Sequence, residues 1–405
     1  MEKKFITHMD LDSFFVSVER LQNSSFVGKP LIIGGQSDRG VVASCSYEAR
    51  KYGVHSAMPM KQARILCPDA IVIRGDSQLY SDYSKMVTEV IAESVPLYEK
   101  SSIDEFYIDL TGMDKFFGCY QMSVELKDKV LRETGLPISF GLSANKTVSK
   151  IATGTAKPMG KAFVAHGTEI PFLAPLSVQK IPGVGTETYK TLRNLGIQYI
   201  KTVQEIPREL MYKTLQKTGV EIWKKAQGID DRPIEPYHER KSISTERTFE
   251  KDTIDVVMLR NLISAMAENL AYQLRKGNKL CSCVSVKVRY SDFNTHSIQA
   301  KIPYTSADHI LIKRTLELFE KLYQRRLLIR LVGVRFSDLV SGGFQINLFE
   351  ETEEMANLYQ AMDSIRNRFG DHAVRRANGM GAKTIGREGN PFDGSAPILL
   401  ANRRQ

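Results

Sequence analysis

The chain has 405 residues, too many for one hydrophobic core, so several domains are expected. Hydrophobic residues make up 42% and charged residues 25%, which excludes a disordered chain, and no apolar run reaches the roughly 20 residues of a membrane helix. The formal net charge of +10 points to an anionic partner, nucleic acid before a membrane surface.

The N-terminus, MEKKFITHMDLDSFF, meets acids before an apolar signal core can form. Five cysteines (Cys45, Cys67, Cys119, Cys281 and Cys283) are an odd number and none has zinc-site spacing. A reducing, cytoplasmic location is therefore expected, with no membrane attachment.

Residues 5–12, FITHMDLD, predict a buried strand on which Asp10 and Asp12 share a face. Phe14, Phe15, Val18 and Leu21 then recur at helical spacing. Asp12 is expected to cap that helix, where acids are favoured. Residues 29–46 predict strands KPLIIGG and VVASCS, followed by a helix in YEARKYGV. Tyr47 and Arg50 stand three apart in its first turn and share a face, an arrangement suited to phosphate. The next stretch, GVHSAMPM, presents little bulk.

An amphipathic helix is predicted over 80–95 and ends at Pro96. Ser101–Leu110, SSIDEFYIDL, then sets Asp104 and Glu105 side by side in a strand-like run. Neighbours on a straight strand point to opposite faces, so two acids converge only where the chain bends, as at a hairpin tip. Acids in an apolar strand are costly without a positive partner, and hard oxygen ligands suit Mg²⁺. An exposed turn is the plain alternative for these ten residues.

A second helix is predicted over 120–134, then a strand passing into a helix in LPISFGLSANKTVSKIA, then AKPMGKAFV with Lys157 before a proline. The order is that of a ferredoxin-like βαββαβ sheet with a small insertion at about 18–75. That pattern brings Asp10 beside Asp104 and Glu105.

SVQKIPGVGTETYKTLRNLGI places Pro-Gly-x-Gly between two helical runs, a helix–hairpin–helix signature. Gly183 and Gly185 let main-chain amides approach a DNA phosphate. The charged stretch 229–241, with two prolines, predicts a linker. Span 241–340 holds 17 lysines and arginines against 10 acids, a net +7. It predicts helices at 258–276 and 307–324 and strands including CSCVSVKVRY, whose Lys287 and Arg289 suit a phosphate backbone. QINLF at 345–349 has the character of a docking peptide. A helix is predicted over 352–369, with Met355, Leu358, Met362, Ile365 and Phe369 on one side, and a disordered tail from 370.

HMDLDSFFVSVE, VVASCSYEARKYGV, SIDEFYIDL, GLSANKTVSKIA with AKP, and IPGVGTETYKTLRNLGI together resemble the Y-family translesion DNA polymerases, the DNA polymerase IV group above all. The resemblance implies an α+β, multidomain right hand. Its ferredoxin-like palm would be 1–17 plus 76–166, its small fingers 18–75, and its helical thumb 167–230, carrying the helix–hairpin–helix. After a linker at 231–240, an α/β little finger would span 241–340, with a clamp-binding peptide, a helix and a tail over 341–405.

The resemblance also implies roles. Asp10, Asp104 and Glu105, with the carbonyl of Leu11, would hold two Mg²⁺ ions. Phe14, Phe15, Ser44, Tyr47, Arg50 and Lys157 would bind the incoming nucleotide, Phe15 acting as a steric gate against ribose. Gln345, Leu348 and Phe349 would anchor the chain to the bacterial sliding clamp. The expected partners are primer–template DNA, a deoxynucleoside triphosphate and the clamp, with the protein itself a monomer. The 56 residues after Phe349 depart from the DNA polymerase IV pattern and resemble the catalytic subunit of DNA polymerase V. A nucleotidyl cyclase shares a similar palm, but it needs no DNA track. A non-catalytic DNA-binding factor does not need all three carboxylates.

Overall fold

The computed structural model describes residues 3–113, 118–237, 239–325, 327–342, 352–370, 373–374 and 376–377. The chain forms two compact units, which divide between residues 238 and 239.

The first unit opens with β1 (Ile6–Leu11) and α1 (Phe14–Gln22). Next come β2 (Leu31–Gly34), β3 (Val42–Cys45), α2 (Tyr47–Arg50), α3 (Met60–Leu66) and β4 (Ile71–Ile73). These three strands make a small sheet of order β3-β2-β4 with its own core. The chain continues through α4 (Ser77–Ser94), β5 (Tyr98–Lys100), β6 (Glu105–Asp109), α5 (Cys119–Thr134), β7 (Ile138–Ser143), α6 (Lys146–Ala156) and β8 (Lys161–Phe163).

The main sheet has the order β5-β6-β1-β7-β8, with β1 antiparallel to both neighbours. Central strands are covered on both faces and read as near-continuous apolar runs, which is why ISFGLS in β7 is buried throughout. One core lies between this sheet and α1, α4 and α5, where Met9, Leu11, Phe106, Ile108 and Phe140 meet Val87, Ile91 and Val130. The opposite face is covered by α6. Gly141 permits that approach, because a Cβ there would strike the Ser149 carbonyl and the Thr153 amide of α6.

A helical section follows: α7 (Glu169–Leu173), α8 (Thr186–Asn194), α9 (Ile200–Glu205) and α10 (Arg208–Ala226). The run before Pro182 is a single 3₁₀ turn, Val178–Lys180, rather than a full helix. The charged stretch after α10 does not hang free at its start. Thr147 binds the Asp230 carboxylate, Lys146 donates to the Pro233 carbonyl, the Glu235 amide donates to Glu99, and Ile234 is buried with Ile6 and Tyr107.

The second unit runs β9 (Ser242–Thr253), α11 (Val256–Lys276), β10 (Lys279–Tyr290), β11 (Thr295–Thr305), α12 (Asp308–Leu322), β12 (Ile329–Ser341) and α13 (Thr352–Phe369). Its antiparallel sheet has the order β11-β10-β12-β9, and α11 and α12 pack their apolar sides on it. Cys281 and Cys283 are buried packing residues, and all five cysteines are free. The sequence did not announce β9, an edge strand with only Ile243 and Phe249 buried.

Helix α13 seats itself by a different side from its apolar stripe. Tyr359 and Arg366 are buried, whereas Leu358, Ile365 and Phe369 are exposed. QINLF, with Gln345, Leu348 and Phe349, and the tail from 378 lie outside the described residues.

Candidate active site

Strand pairing sets Asp10 opposite Glu105 across β1 and β6. The Leu11 amide donates to the Asp104 carbonyl at 3.0 Å, so Asp104 stands one step beyond the paired end of β6. The β5–β6 tip is tight, because the amides of Ser101 and Ser102 both donate to the Glu105 carbonyl, at 2.9 and 3.3 Å. The three acids thus meet at one end of the sheet although Asp10 lies far from the other two in sequence.

Lysines stand against the acids there. Burial pushes the Asp10 carboxyl up to about 7, and Asp104 and Glu105 add to the rise. The Lys157 ammonium opposes it by pairing with Asp10, and it reaches the Leu11 carbonyl at 3.3 Å. Lys150 pairs with Glu105 at 2.6 Å, and Ser102 donates to Asp104. Lys100 lies under the tip, where burial lowers it to about 8, and it donates to Ser84 and Thr88 at 2.7 Å.

These lysines form a row. Lys146, Lys150 and Lys157 fall at spacings of four and seven along one side of α6 and its end. They pair with Glu99 on β5, Glu105 on β6 and Asp10 on β1. Thr153, within the same row, bonds His8 of β1 at 2.9 Å, and burial holds that imidazole neutral. Sequence reasoning missed Lys150 and Lys100; the KTVSKIATGTAK spacing was the available signal.

The donor set suits a hard divalent cation: three carboxylates and a main-chain carbonyl. A cation already touches two of these donors, for the Lys157 ammonium sits on Asp10 and Leu11. Among the described residues, no three acidic, histidine or cysteine side chains converge on one point as they stand. Each carboxylate is turned to its own partner instead: Asp10 to Lys157, Glu105 to Lys150, Asp104 to Ser102.

The residues expected at the nucleotide come from three segments. Phe15, half-buried, stacks on Tyr80 with centroids 4.2 Å apart and planes at 14°. Phe14 is 3% exposed and its ring belongs to the core, so Phe15 alone of the pair offers a face. Ser44 is buried on β3. Tyr47 and Arg50 lie on α2, capped by Ser46, with the exposed guanidinium 5.0 Å from the Tyr47 ring centroid. Burial and the Asp12 charge push the Tyr47 phenol up to about 12, so it stays a donor at neutral pH. The small-residue stretch 53–60 is largely exposed, anchored by Val54, Met58 and Met60.

Asp12 is not the helix cap expected from sequence. Ser13 takes that place with φ +44°, and the turn carries the Asp12 side chain into the interior, where it is 3% exposed.

Farther along, Gly183 has φ +100°, a conformation that glycine alone adopts freely, and Lys225 donates to the Pro182 carbonyl just before it at 2.8 Å. A Cβ on Gly185 would meet nothing within 4 Å, so main chain is accessible there. In the second unit Lys287 pairs with Glu246, and Arg289 bonds Thr295 at 2.8 Å. Among the described residues no helix is long and apolar enough to cross a membrane.

Comparison with known proteins follows the same outline. Residues 9–154 match the impB/mucB/samB family, and residues 240–348 match the C-terminal domain of that family. DNA polymerase IV of Dehalococcoides mccartyi is 36% identical over 379 residues, 93% of this chain and 97% of that protein. The 7% left uncovered is shorter than the 56 residues after Phe349, so part of the C-terminal extension is shared with that relative. A Y-family DNA polymerase chimera of Dbh and Dpo4 superimposes with a TM-score of 0.74 at 26% identity, covering 84% of this chain and all of that one. Dbh DNA polymerase in an insertion ternary complex does so with a TM-score of 0.60 at 26% identity, with the same coverage.

Proposed function

The chain belongs to the Y family of translesion DNA polymerases, close to DNA polymerase IV, and from that premise we propose how its own side chains carry the reaction. It is a DNA-directed DNA polymerase that binds DNA and nucleotide and depends on a divalent metal. The finer reading is two Mg²⁺ ions held by Asp10, Asp104, Glu105 and the Leu11 carbonyl. Bound there, the ions supply activation of the primer 3′-hydroxyl and neutralisation of the leaving pyrophosphate.

The observation that carries this reading is the acidic cluster itself. Asp10 is half-buried beside Asp104 and Glu105, and lysines stand against the cluster, Lys157 on Asp10 and Lys150 on Glu105. Lys157, which pairs with Asp10 here, would be free to bind the triphosphate if a cation took its place on that carboxylate. Tyr47 donates a hydroxyl and Arg50 a two-pronged guanidinium to the same phosphates. The Phe15 ring, braced by Tyr80, lies under the sugar and excludes a 2′-hydroxyl.

The remaining assignments belong to the same proposal. The palm is 1–17 plus 76–166, the fingers 18–75, the thumb 167–230 and the little finger 241–340. Gly183 and Gly185 meet DNA phosphates through main-chain amides, and Lys287 and Arg289 meet them through charge. Gln345, Leu348 and Phe349 engage a sliding clamp. The enzyme works as a monomer on cytoplasmic DNA.

Primer extension with Asp104→Ala tests the reading. Extension should vanish while DNA affinity stays within about twofold, because the tip hydrogen bonds to Glu105 are main-chain. Measurable extension by that variant at fixed Mg²⁺ would refute it. Wild-type protein given nucleotide without template should yield no cyclic product.

A further inference from the structure

We infer that Asp12 is a positioning residue that assembles the triphosphate side of the site from three separate segments. The inference rests on the reading of Tyr47 and Lys157 as triphosphate residues.

The Asp12 carboxylate is a buried hub. It receives the Ser139 hydroxyl of β7 at 3.0 and 2.9 Å on its two oxygens. It receives the Met159 amide, from the loop after α6, at 2.7 Å. It receives the Tyr47 hydroxyl of α2 at 3.3 Å, and the Lys157 ammonium stands 3.9 Å away. The Gly160 amide donates to Ser139 at 3.1 Å, so the loop that carries Lys157 is tied to the hub twice.

The three segments are separate in the chain, although β7 also pairs with β8 just beyond the loop. Tyr47 comes from the small inserted sheet, Ser139 from the main sheet, and Met159 from a loop 147 residues downstream of Asp12. A carboxylate has about four lone-pair sites, and the donors named here use them. A charged acceptor draws donors more strongly than a neutral one and fixes their direction. Asp12 therefore fixes the position of the Tyr47 hydroxyl and holds the Lys157 loop before nucleotide arrives, and the single hydroxyl hydrogen turns from Asp12 to a phosphate oxygen once the triphosphate is in place. Without it, both groups lose orientation, which weakens nucleotide binding more than DNA binding. A carboxylate that merely stabilised the fold would weaken both alike.

The test is equilibrium binding of a matched deoxynucleoside triphosphate to the full-length enzyme on primer–template DNA with a dideoxy-terminated primer, so that no turnover intervenes. Asp12→Asn keeps the shape and removes the charge; Asp12→Ala removes both. Nucleotide Kd should rise about tenfold or more in Asp12→Ala and by a smaller factor in Asp12→Asn, as loss of a hydrogen bond to a charged group implies. DNA affinity should stay within twofold. Tyr47→Phe should cost less nucleotide affinity in the Asp12→Ala background than in wild type, since the hydroxyl it removes is no longer aimed. Should Asp12→Ala fail to fold, Ser139→Ala removes one donor from the same carboxylate and should reproduce the nucleotide-selective loss.

Unchanged nucleotide affinity in folded Asp12 and Ser139 variants would overturn the inference, as would equal losses for nucleotide and DNA. Failure of the wild-type complex to take up nucleotide would instead strike down the reading of the site, and this inference with it.

Discussion

Arg366→Met should loosen α13 and the helix α11 against which it packs. The Arg366 guanidinium lies 2.5 Å from the Glu268 carboxylate of α11, and the two residues are 3% and 7% exposed. It also reaches Asp363 at 3.3 Å, donates to the Val374 carbonyl at 3.2 Å, and lies 5.4 Å from the Tyr272 ring centroid. Removing it strands Glu268 in a low-dielectric interior. Breaking one side of a buried ion pair costs about 3–5 kcal/mol, because the remaining charge keeps its desolvation penalty and loses its partner. Amide hydrogen exchange on the full-length protein measures this locally, which suits a chain of several domains. Amides of α11 and α13 should exchange faster by about two to three and a half powers of ten, at ~1.4 kcal/mol for each. Adding Glu268→Gln should restore most of the protection. A change below threefold in the single variant would refute the view that α13 is an integral part of the second unit.

Phe15→Ala should relax sugar discrimination by roughly 10–200-fold, the effect of about 1–3 kcal/mol of lost exclusion. Competing deoxy- and ribonucleotides in single-turnover extension read this directly, and unchanged discrimination would exclude Phe15 as the gate. Lys150→Met should bind Mn²⁺ several-fold more tightly in the absence of nucleotide, because the ammonium paired with Glu105 competes for the same carboxylate. Titration of free Mn²⁺ by electron paramagnetic resonance gives the affinity without turnover; a value equal to wild type would mean that Lys150 does not guard the site.

The helices were legible because period 3.6 survives in the sequence: α11 and α12 bury Leu262, Met266 and Leu270 on one helix and Leu311, Thr315 and Leu318 on the other. The main-sheet strands were legible as apolar runs, with acids at the end of one and the tip of another. β9 was not, since an edge strand buries few side chains and SISTERTFEKDT reads as a continuation of the charged stretch before it. For α13 periodicity predicted the helix, but its apolar stripe is not the side that packs. Arg366, Asp363 and Tyr359 go inward because Glu268, Arg275 and His309 wait there to pair with them.

Composition, periodicity and motif order by themselves determined the class of the fold, the family it resembles and which acids belong together. Tertiary structure alone decided where each charge goes. Asp12 looked like a cap because capping is a local preference, and its true partners lie 35, 127 and 147 residues away. Asp10 meets its lysine across 147 residues and Glu105 meets its own across 45. A side chain's period is written in its neighbours along the chain, but its electrostatic partner is chosen by whatever the fold brings within a few ångströms.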